Sequence, residues 1–250
     1  MADNILLSEM TWTEVDEAMK DRPVALVPVG ATEAHGPHLP LSTDSVIAVE
    51  MARRGAKKLK EHGVSALILP PVNLTVADWS ADFAGTLSVS AETSVAVLRD
   101  LAVYASKRFR AVAFVNIHLE PTNVECVKKA VEEATKAGAS VCVVDLTRKR
   151  WADKLDAAFK AGDHAGAWET SLMMVAAPGL IRERERISLA PMDGLMPAIK
   201  KGAKTFVEAG GEDAYFGDPT AASEDDGKKQ FDVLAEILQV CVMEHLGSKA

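Results

Sequence analysis

Two short patterns in the sequence combine histidine with carboxylate side chains. The first lies in the stretch TEAHGPHLPLSTD (residues 32–44), where Glu33 and His35 are two positions apart. His118 and Glu120 repeat that spacing in reverse order further along the chain. In an extended segment, side chains at positions i and i+2 point to the same side, so each pair offers one oxygen and one nitrogen to one point. Each pair is therefore a candidate for binding a divalent cation.

Asp44 adds a third carboxylate, nine residues after His35. The resulting set of two imidazoles and three carboxylates, without a thiolate, suits Zn²⁺, Mn²⁺, Fe²⁺ or Co²⁺. Five side chains exceed the needs of one tetrahedral ion, and three carboxylates repel one another unless cations neutralise them. Two ions about 3.5–4 Å apart, bridged by Asp44 and holding a water or hydroxide between them, would resolve both points. Such a centre is suited to hydrolysis.

Each of these residues also has a simpler interpretation. Asp44 precedes a helical pattern and would serve as an N-cap, and Glu120 would be a solvated carboxylate in a first helical turn. His38 has no carboxylate at matching spacing and is interpreted as loop structure. The metal hypothesis depends on two such patterns following two strands, and from the residues alone both interpretations stay open.

The elements that would position these residues alternate between apolar strands and amphipathic helices. Predicted strands are 23–29, 64–69, 111–116 and 140–145. Predicted helices are 44–62, 91–108, 122–137, 150–161, 167–177 and 223–246. Near-continuously apolar strands between helices indicate an α/β fold of three layers, with a mostly parallel central sheet and helices on both faces. Both patterns would then follow the carboxyl ends of strands, where ligands bind in such sheets.

The chain shows no repeat, linker or low-complexity tract that would divide it. We therefore expect a single domain over residues 1–250. Residues 178–222 are poorer in pattern and contain many Gly and Pro, and would wrap the sheet, form a subunit contact or cover the site. The turn after the first strand reads GATEAHG, without G-x-G-x-x-G, which argues against a Rossmann dinucleotide site.

Composition restricts the partners and the compartment. The 28 basic and 36 acidic side chains give a net charge of −8, which argues against nucleic acid or an anionic membrane as a partner. Three scattered cysteines, none in a C-x-x-C, fit a reducing compartment. The N-terminal MADNILLSEM lacks the features of a signal peptide, and no apolar run approaches the ~20 residues of a membrane helix. We therefore expect a cytoplasmic protein with a small-molecule substrate.

Longer stretches around these residues resemble the creatininase family, that is creatinine amidohydrolase and its relatives. The first mark of that family is P-V-G-x-x-E-x-H-G-P-H-L-P-L-x-T-D, and this chain has PVGATEAHGPHLPLSTD over 28–44. N-x-H follows at 116–118, HAGAWETS at 164–171 and FGDPTAASEDDG, a weaker match, at 216–227. The order is that of the family, so the resemblance covers nearly the whole chain.

The resemblance implies a dinuclear metal hydrolase on an α/β fold, assembled as a homohexamer. It implies two divalent ions per chain, Zn and/or Mn, with Fe or Co as alternatives. By similarity, one ion is held by Glu33, Asp44 and His118. The other is held by His35, Asp44 and Glu120, so that Asp44 bridges the two. Should Glu120 point away, Glu169 is the replacement ligand.

The resemblance also assigns His164 and Glu169 to catalysis. His164 would act near the substrate, and Glu169 would lie close to the metals as a proton carrier or further ligand. Glu169 would otherwise be a first-turn carboxylate stabilised by its helix. Trp168 is either a packing aromatic or a pocket wall against a flat ring. The loop 76–86 departs from the family pattern and offers Ser80 as a substrate contact, which puts creatinine itself in question as the substrate.

The function predicted in this way is metal-dependent hydrolysis of a small molecule at a non-peptide C–N bond, such as a cyclic amide or formamide. A hydroxide bridging the metals would attack the carbonyl, and one metal would stabilise the oxyanion. His164 or Glu169 would pass a proton to the leaving group. The alternatives are ring opening of a cyclic diketone or lactone by the same hydroxide, and a non-catalytic, metal-dependent binding or assembly protein.

Overall fold

A four-stranded parallel sheet forms the centre of the protein, in a computed structural model that describes residues 4–247. Its strands are β1 (Val24–Val29), β2 (Ala66–Ile68), β3 (Val112–Asn116) and β4 (Val141–Val144). The order across the sheet is β2-β1-β3-β4, so β1 and β3 are the inner strands. Every residue of these two strands is buried, as expected where helices cover both faces of a sheet.

Ten α-helices lie within the described residues, and none of these ten is long and apolar enough to cross a membrane. In chain order they are α1 (Trp12–Ala18), α2 (Thr43–Glu61), α3 (Ala91–Ala105), α4 (Pro121–Lys136), α5 (Lys149–Ala152), α6 (Ala157–Ala161), α7 (Ala167–Ala176), α8 (Glu183–Arg186), α9 (Met196–Lys200) and α10 (Glu224–His245). Helices α2, α7 and α10 share one core with Leu26 and Val115. Helices α3 and α4 share the other with Val27 and Phe114. The three layers predicted from the sequence are confirmed.

Several helices differ from the prediction: α8 and α9 were not expected within residues 178–222, and two further cases have an identifiable cap. The single helix expected over 150–161 is two short helices, because Asp156 begins a new one: its Oδ1 accepts a hydrogen bond of 2.9 Å from the backbone N–H of Phe159. Helix α1 was not predicted. Thr11 caps it, and the side chain of Glu14 accepts in return from the backbone of Thr11. Both helices start at polar capping residues, which a pattern of apolar positions does not register.

Residues 178–222 lie partly over the carboxyl edge of the sheet. His164 and Phe216 form an antiparallel bridge, with N···O distances of 3.2 and 2.7 Å. The ring of Phe206 packs against that of His164, with 4.3 Å between the centroids. Of the three roles considered for residues 178–222, these contacts favour covering the candidate site.

Gly30 allows the end of β1 to approach the first turn of α2 closely. A Cβ atom at residue 30 would lie 2.7 Å from the Cβ of Asp44 and 2.7 Å from the backbone nitrogen of Ser45, so only glycine fits. The backbone N–H of Ala31 then donates to Asp44 Oδ2 at 3.1 Å. The close approach fixes Asp44 beside the loop that follows β1.

Candidate metal centre

The two histidine–carboxylate patterns meet at the carboxyl edge of the sheet. Val29, at the end of β1, is paired with Asn116, at the end of β3, so the loops that follow start side by side. The side-chain amide of Asn116 donates to the carbonyl oxygen of His118 at 2.9 Å and holds the second loop in its turn. All five side chains predicted as ligands from the two loops are buried: Glu33, His35, Asp44, His118 and Glu120.

One group of possible ligands consists of Glu33, His118 and Glu120, whose ligand atoms lie within 4.8 Å of one another. His118 Nδ1 is 3.1 Å from Glu33 Oε1. The other ring nitrogen, Nε2, lies 2.7 Å from the carbonyl oxygen of Val76 and donates to it. In the neutral ring this bond leaves the lone pair on Nδ1, directed at the group, which is how a metal-binding histidine is usually held.

A second group consists of His35, Asp44 and Glu169, also within 4.8 Å. His35 Nε2 is 3.3 Å from Asp44 Oδ1 and 3.7 Å from Glu169 Oε2. The Nδ1 of His35 is 3.1 Å from the backbone carbonyl oxygen of Glu33 and donates to it, so in the neutral ring Nε2 carries the lone pair. This histidine is therefore oriented in the same manner as the first.

Asp44 lies between the two groups. Its Oδ1 faces His35, and its Oδ2 is 3.1 Å from His118 Nδ1. Each carboxylate oxygen therefore faces the histidine of a different group. This is the arrangement required of a carboxylate that bridges two cations.

His164 is the third histidine of the cluster. Its Nε2 is 3.0 Å from the carbonyl oxygen of Ala34 and donates to it. Its ring centroid is 4.4 Å from that of His35. Ligand atoms of Glu33, His35 and His164 also lie within 4.8 Å of one another, so this geometry is compatible with a proton carrier and with a further ligand.

The cluster contains more negative charge than burial tolerates. Burial raises the pKa of Glu120 to about 7 and that of Glu169 to about 8. Burial opposes a charge on His35 as well, but Asp44, Glu169 and Glu33 outweigh it and raise the pKa of His35 to about 10. Without cations, the two carboxyl groups therefore tend to hold protons near neutral pH, and a protonated His35 balances part of the remaining negative charge. Divalent cations would perform that neutralisation instead.

Two polar atoms of the cluster test whether cations fit. His35 Nε2 and Glu120 Oε1 are buried and have no hydrogen-bond partner among residues 4–247. An unpaired buried polar atom is rare and costs free energy. Each of these atoms belongs to a different group, and a cation in each group would give both a partner. The donor set therefore fits a pair of divalent cations.

The structure distributes the two glutamates differently from the family-based expectation. Glu120 was expected beside His35 and Asp44, but it groups with Glu33 and His118. The physical reason is a hydrogen bond of 3.2 Å from the backbone N–H of Trp79 to Glu120 Oε2, which draws this carboxylate toward loop 76–86. Glu169, the predicted replacement, lies beside His35, and its Oε2 accepts from the backbone of Ala165 at 2.6 Å.

A cavity of about 540 Å³ opens above these groups. Its floor includes Glu33, Asp44 and His118, and its walls are largely apolar, with Trp168 among them. Sequence reasoning missed several wall residues, which lie in short helices or in segments without a periodic pattern: Phe159, Leu195, Met196, Ile199 and Phe206.

Ser80 and His38 are buried beside the cluster rather than in the cavity wall. Ser80 was proposed as a substrate contact, but its hydroxyl donates to Glu33 Oε2 at 3.0 Å and it is fully buried. His38 was interpreted as loop structure. Its Nε2 is 3.0 Å from Thr170 Oγ1, and burial lowers its pKa to about 4. This contact joins the loop after β1 to α7.

The parallel α/β sheet and the buried histidine–carboxylate cluster at its carboxyl edge define a metal-dependent hydrolase. The chain belongs to the creatininase family, because the family model described as creatinine amidohydrolase matches residues 8–241. It is accordingly a metal-dependent amidohydrolase of this family.

Named relatives differ in their substrates. The mycofactocin precursor peptide peptidase of Mycobacterium ulcerans is 31% identical over 251 residues, covering 95% of this chain and 90% of the relative. The creatinine amidohydrolase of Pseudomonas putida is 26% identical over 204 residues, covering 72% and 75%. A crystal structure of creatininase matches with a TM-score of 0.78 and 19% identity, covering 99% of this chain and 100% of that one. The Mn form of creatininase matches with 0.75 and 20%, covering 97% and 98%.

Cations are expected to stabilise the fold. A ligand that binds only the folded state at 100 times its Kd adds about 2.7 kcal/mol, and for a domain of this size that corresponds to roughly 5–10 °C in Tm. Melting the chelator-treated protein with and without Mn²⁺ or Zn²⁺ measures the effect. Mg²⁺ is the matched control, because it prefers an all-oxygen octahedral site and should raise Tm less. An equal shift with Mg²⁺ would indicate unspecific charge neutralisation and count against the site.

Proposed function

We propose that this protein hydrolyses a C–N amide bond at a centre for two divalent cations, Zn²⁺ and/or Mn²⁺, with Fe²⁺ or Co²⁺ as alternatives. The observation that carries the proposal is the position of Asp44, whose two oxygens face His35 and His118. A structural site for one ion would not need a shared carboxylate.

The ligand sets follow from the two groups. One cation would be held by Glu33, Asp44, His118 and Glu120. The other would be held by His35, Asp44 and Glu169. When bound, the two cations would lower the pKa of a water molecule held at the centre and polarise a carbonyl oxygen. The candidate ligands Glu33, Asp44 and His118 line the cavity, so the cations would lie at its floor, facing the space for the substrate.

His164 supplies the proton transfer in this proposal. Its Nε2 is engaged by the carbonyl oxygen of Ala34, so Nδ1 is the nitrogen available for chemistry. Packing between the rings of His35 and Phe206 fixes its orientation. Nδ1 would take a proton as the amide carbon is attacked and pass it to the leaving nitrogen. Glu169 would serve beside it as a ligand.

The size of the substrate separates two candidates. A non-peptide amide, cyclic or a formamide, was predicted from the sequence and is consistent with the name of the Pseudomonas putida relative. A cavity of about 540 Å³ is within the range for drug-sized ligands and exceeds the need of one small ring. Its volume and the name of the mycobacterial relative favour a peptide amide as the second candidate. Trp168 would contact a flat or apolar group in either case.

Turnover of a substrate panel tests the proposal. The panel contains creatinine, a formamide, short peptides with apolar residues, a cyclic diketone and a lactone. We expect the Mn²⁺- or Zn²⁺-loaded protein to hydrolyse at least one C–N substrate, and the chelator-treated protein to hydrolyse none. Turnover of only the nitrogen-free rings would replace the amide assignment. Cation binding without turnover on any member would favour the non-catalytic alternative.

A further inference from the structure

Residues 76–80 contact each of the three side chains in the first group. The carbonyl oxygen of Val76 accepts from His118 Nε2 at 2.7 Å. The backbone N–H of Trp79 donates to Glu120 Oε2 at 3.2 Å. The hydroxyl of Ser80 donates to Glu33 Oε2 at 3.0 Å, and the residue is fully buried. One short segment therefore supplies an outer partner to every member of that group.

These contacts divide the polar atoms of each side chain between two roles. Glu33 Oε2 is bound to Ser80, while Oε1 lies 3.1 Å from His118 Nδ1. Glu120 Oε2 is bound to Trp79, while Oε1 is buried without a hydrogen-bond partner among residues 4–247. His118 follows the same rule, with Nε2 bound to Val76. In each case one atom is fixed by the segment and the other remains available to a cation.

The second group receives its fixed contacts from other parts of the chain. The backbone N–H of Ala165 donates to Glu169 Oε2. Asp44, which both groups share, accepts from the backbone N–H of Ala31 at Oδ2, the oxygen that faces His118. His35 donates to the carbonyl oxygen of Glu33. The two groups are therefore oriented by different backbone segments, and a change in one segment should act on one cation site.

We infer that residues 76–80 position the cation site of Glu33, His118 and Glu120, with Ser80 as the positioning residue for Glu33. The inference rests on the two-cation centre proposed above. Outer partners of metal ligands fix ligand orientation, and their removal typically weakens cation affinity by about 10–100-fold. Ser80 therefore contributes to cation binding without contacting the substrate.

Titration of the chelator-treated protein with Mn²⁺ by calorimetry tests this role. In Ser80→Ala we expect one of the two binding steps to weaken by about 10–100-fold while the other remains as in the wild type. Ser94→Ala is the matched control, because Ser94 is also buried but lies in α3, and its hydroxyl has no hydrogen-bond partner among residues 4–247. Both steps should be unchanged in that variant.

The outcomes separate this inference from the proposed function. Two wild-type steps in Ser80→Ala, or equal weakening in Ser80→Ala and Ser94→Ala, would overturn the positioning role and leave the cation centre intact. A wild-type protein that binds no Mn²⁺ would overturn the centre itself, and the inference with it. Melting the cation-free variants checks that they are folded. Ser80→Gly removes the same hydroxyl without adding a metal-binding group, and it replaces Ser80→Ala should that variant not fold.

Discussion

Replacing Asp44 with asparagine or alanine is expected to remove bound cations and turnover together. Asp44 is 1% exposed and faces His35 and His118 with separate oxygens. Asparagine keeps the shape but halves the number of oxygens and removes the charge, so neither cation would be bridged. The loss of affinity should exceed the about 10–100-fold typical of an outer partner. Elemental analysis of the purified variant and its rate on the best substrate measure both effects.

A matched carboxylate variant controls for the loss of charge alone. Asp16 is exposed on α1, and Asp16→Asn should retain the cation content and rate of the wild type. Wild-type cation content in Asp44→Asn would argue against a bridge. Loss of a single ion would assign Asp44 to one group only.

Replacing His164 with glutamine is expected to lower kcat by about 10²–10⁴-fold, the contribution usual for a general acid–base group. The Nε2 of glutamine corresponds to the nitrogen that donates to the carbonyl oxygen of Ala34, so the variant keeps that contact. It has no group equivalent to Nδ1 and therefore no site for the transferred proton. KM and cation content should change little. Steady-state kinetics and elemental analysis on the same preparation measure the three quantities.

Elemental analysis decides whether His164 transfers a proton or binds a cation. Ligand atoms of Glu33, His35 and His164 also lie within 4.8 Å of one another. A variant that loses one cation along with its activity would identify His164 as a ligand and contradict the proton-transfer role. His245→Gln is the control, because His245 lies at the end of α10 and contacts Ser140 at 3.0 Å.

The fold could be predicted because its signals are local. Each strand is a short apolar run, and the long helices carry apolar faces or recognisable caps, such as Ser90 at the start of α3. The prediction was wrong where a short helix depends on one polar residue, as at Asp156. The pattern of apolar residues predicts the layers of a fold, but it does not predict short helices that depend on a single capping residue.

The sequence predicts the residues at the floor of the candidate site, but not the grouping of Glu120 and Glu169 or the residues of the cavity wall. The pairs Glu33–His35 and His118–Glu120 are adjacent because β1 and β3 are paired. The strand pattern predicts that both pairs follow carboxyl ends of strands in one sheet, but it does not give this pairing. The positions of Glu120 and Glu169 are accompanied by hydrogen bonds from the backbone N–H groups of Trp79 and Ala165, whose directions no spacing reveals. Phe206 enters the cavity wall from a segment without periodicity. The roles of all these residues stay predictions until the variants are measured.

Because β1 and β3 are the inner strands, the part of the cavity that follows them should open less often than the segments that form much of its wall. Amide hydrogens on inner strands exchange mainly when the whole domain opens, whereas peripheral loops open locally at little cost. The floor of the cavity follows these two strands, and much of its wall comes from segments at the edge of the fold. Substitutions in the wall are therefore expected to change substrate selectivity without destabilising the strands and loops that carry the candidate metal ligands.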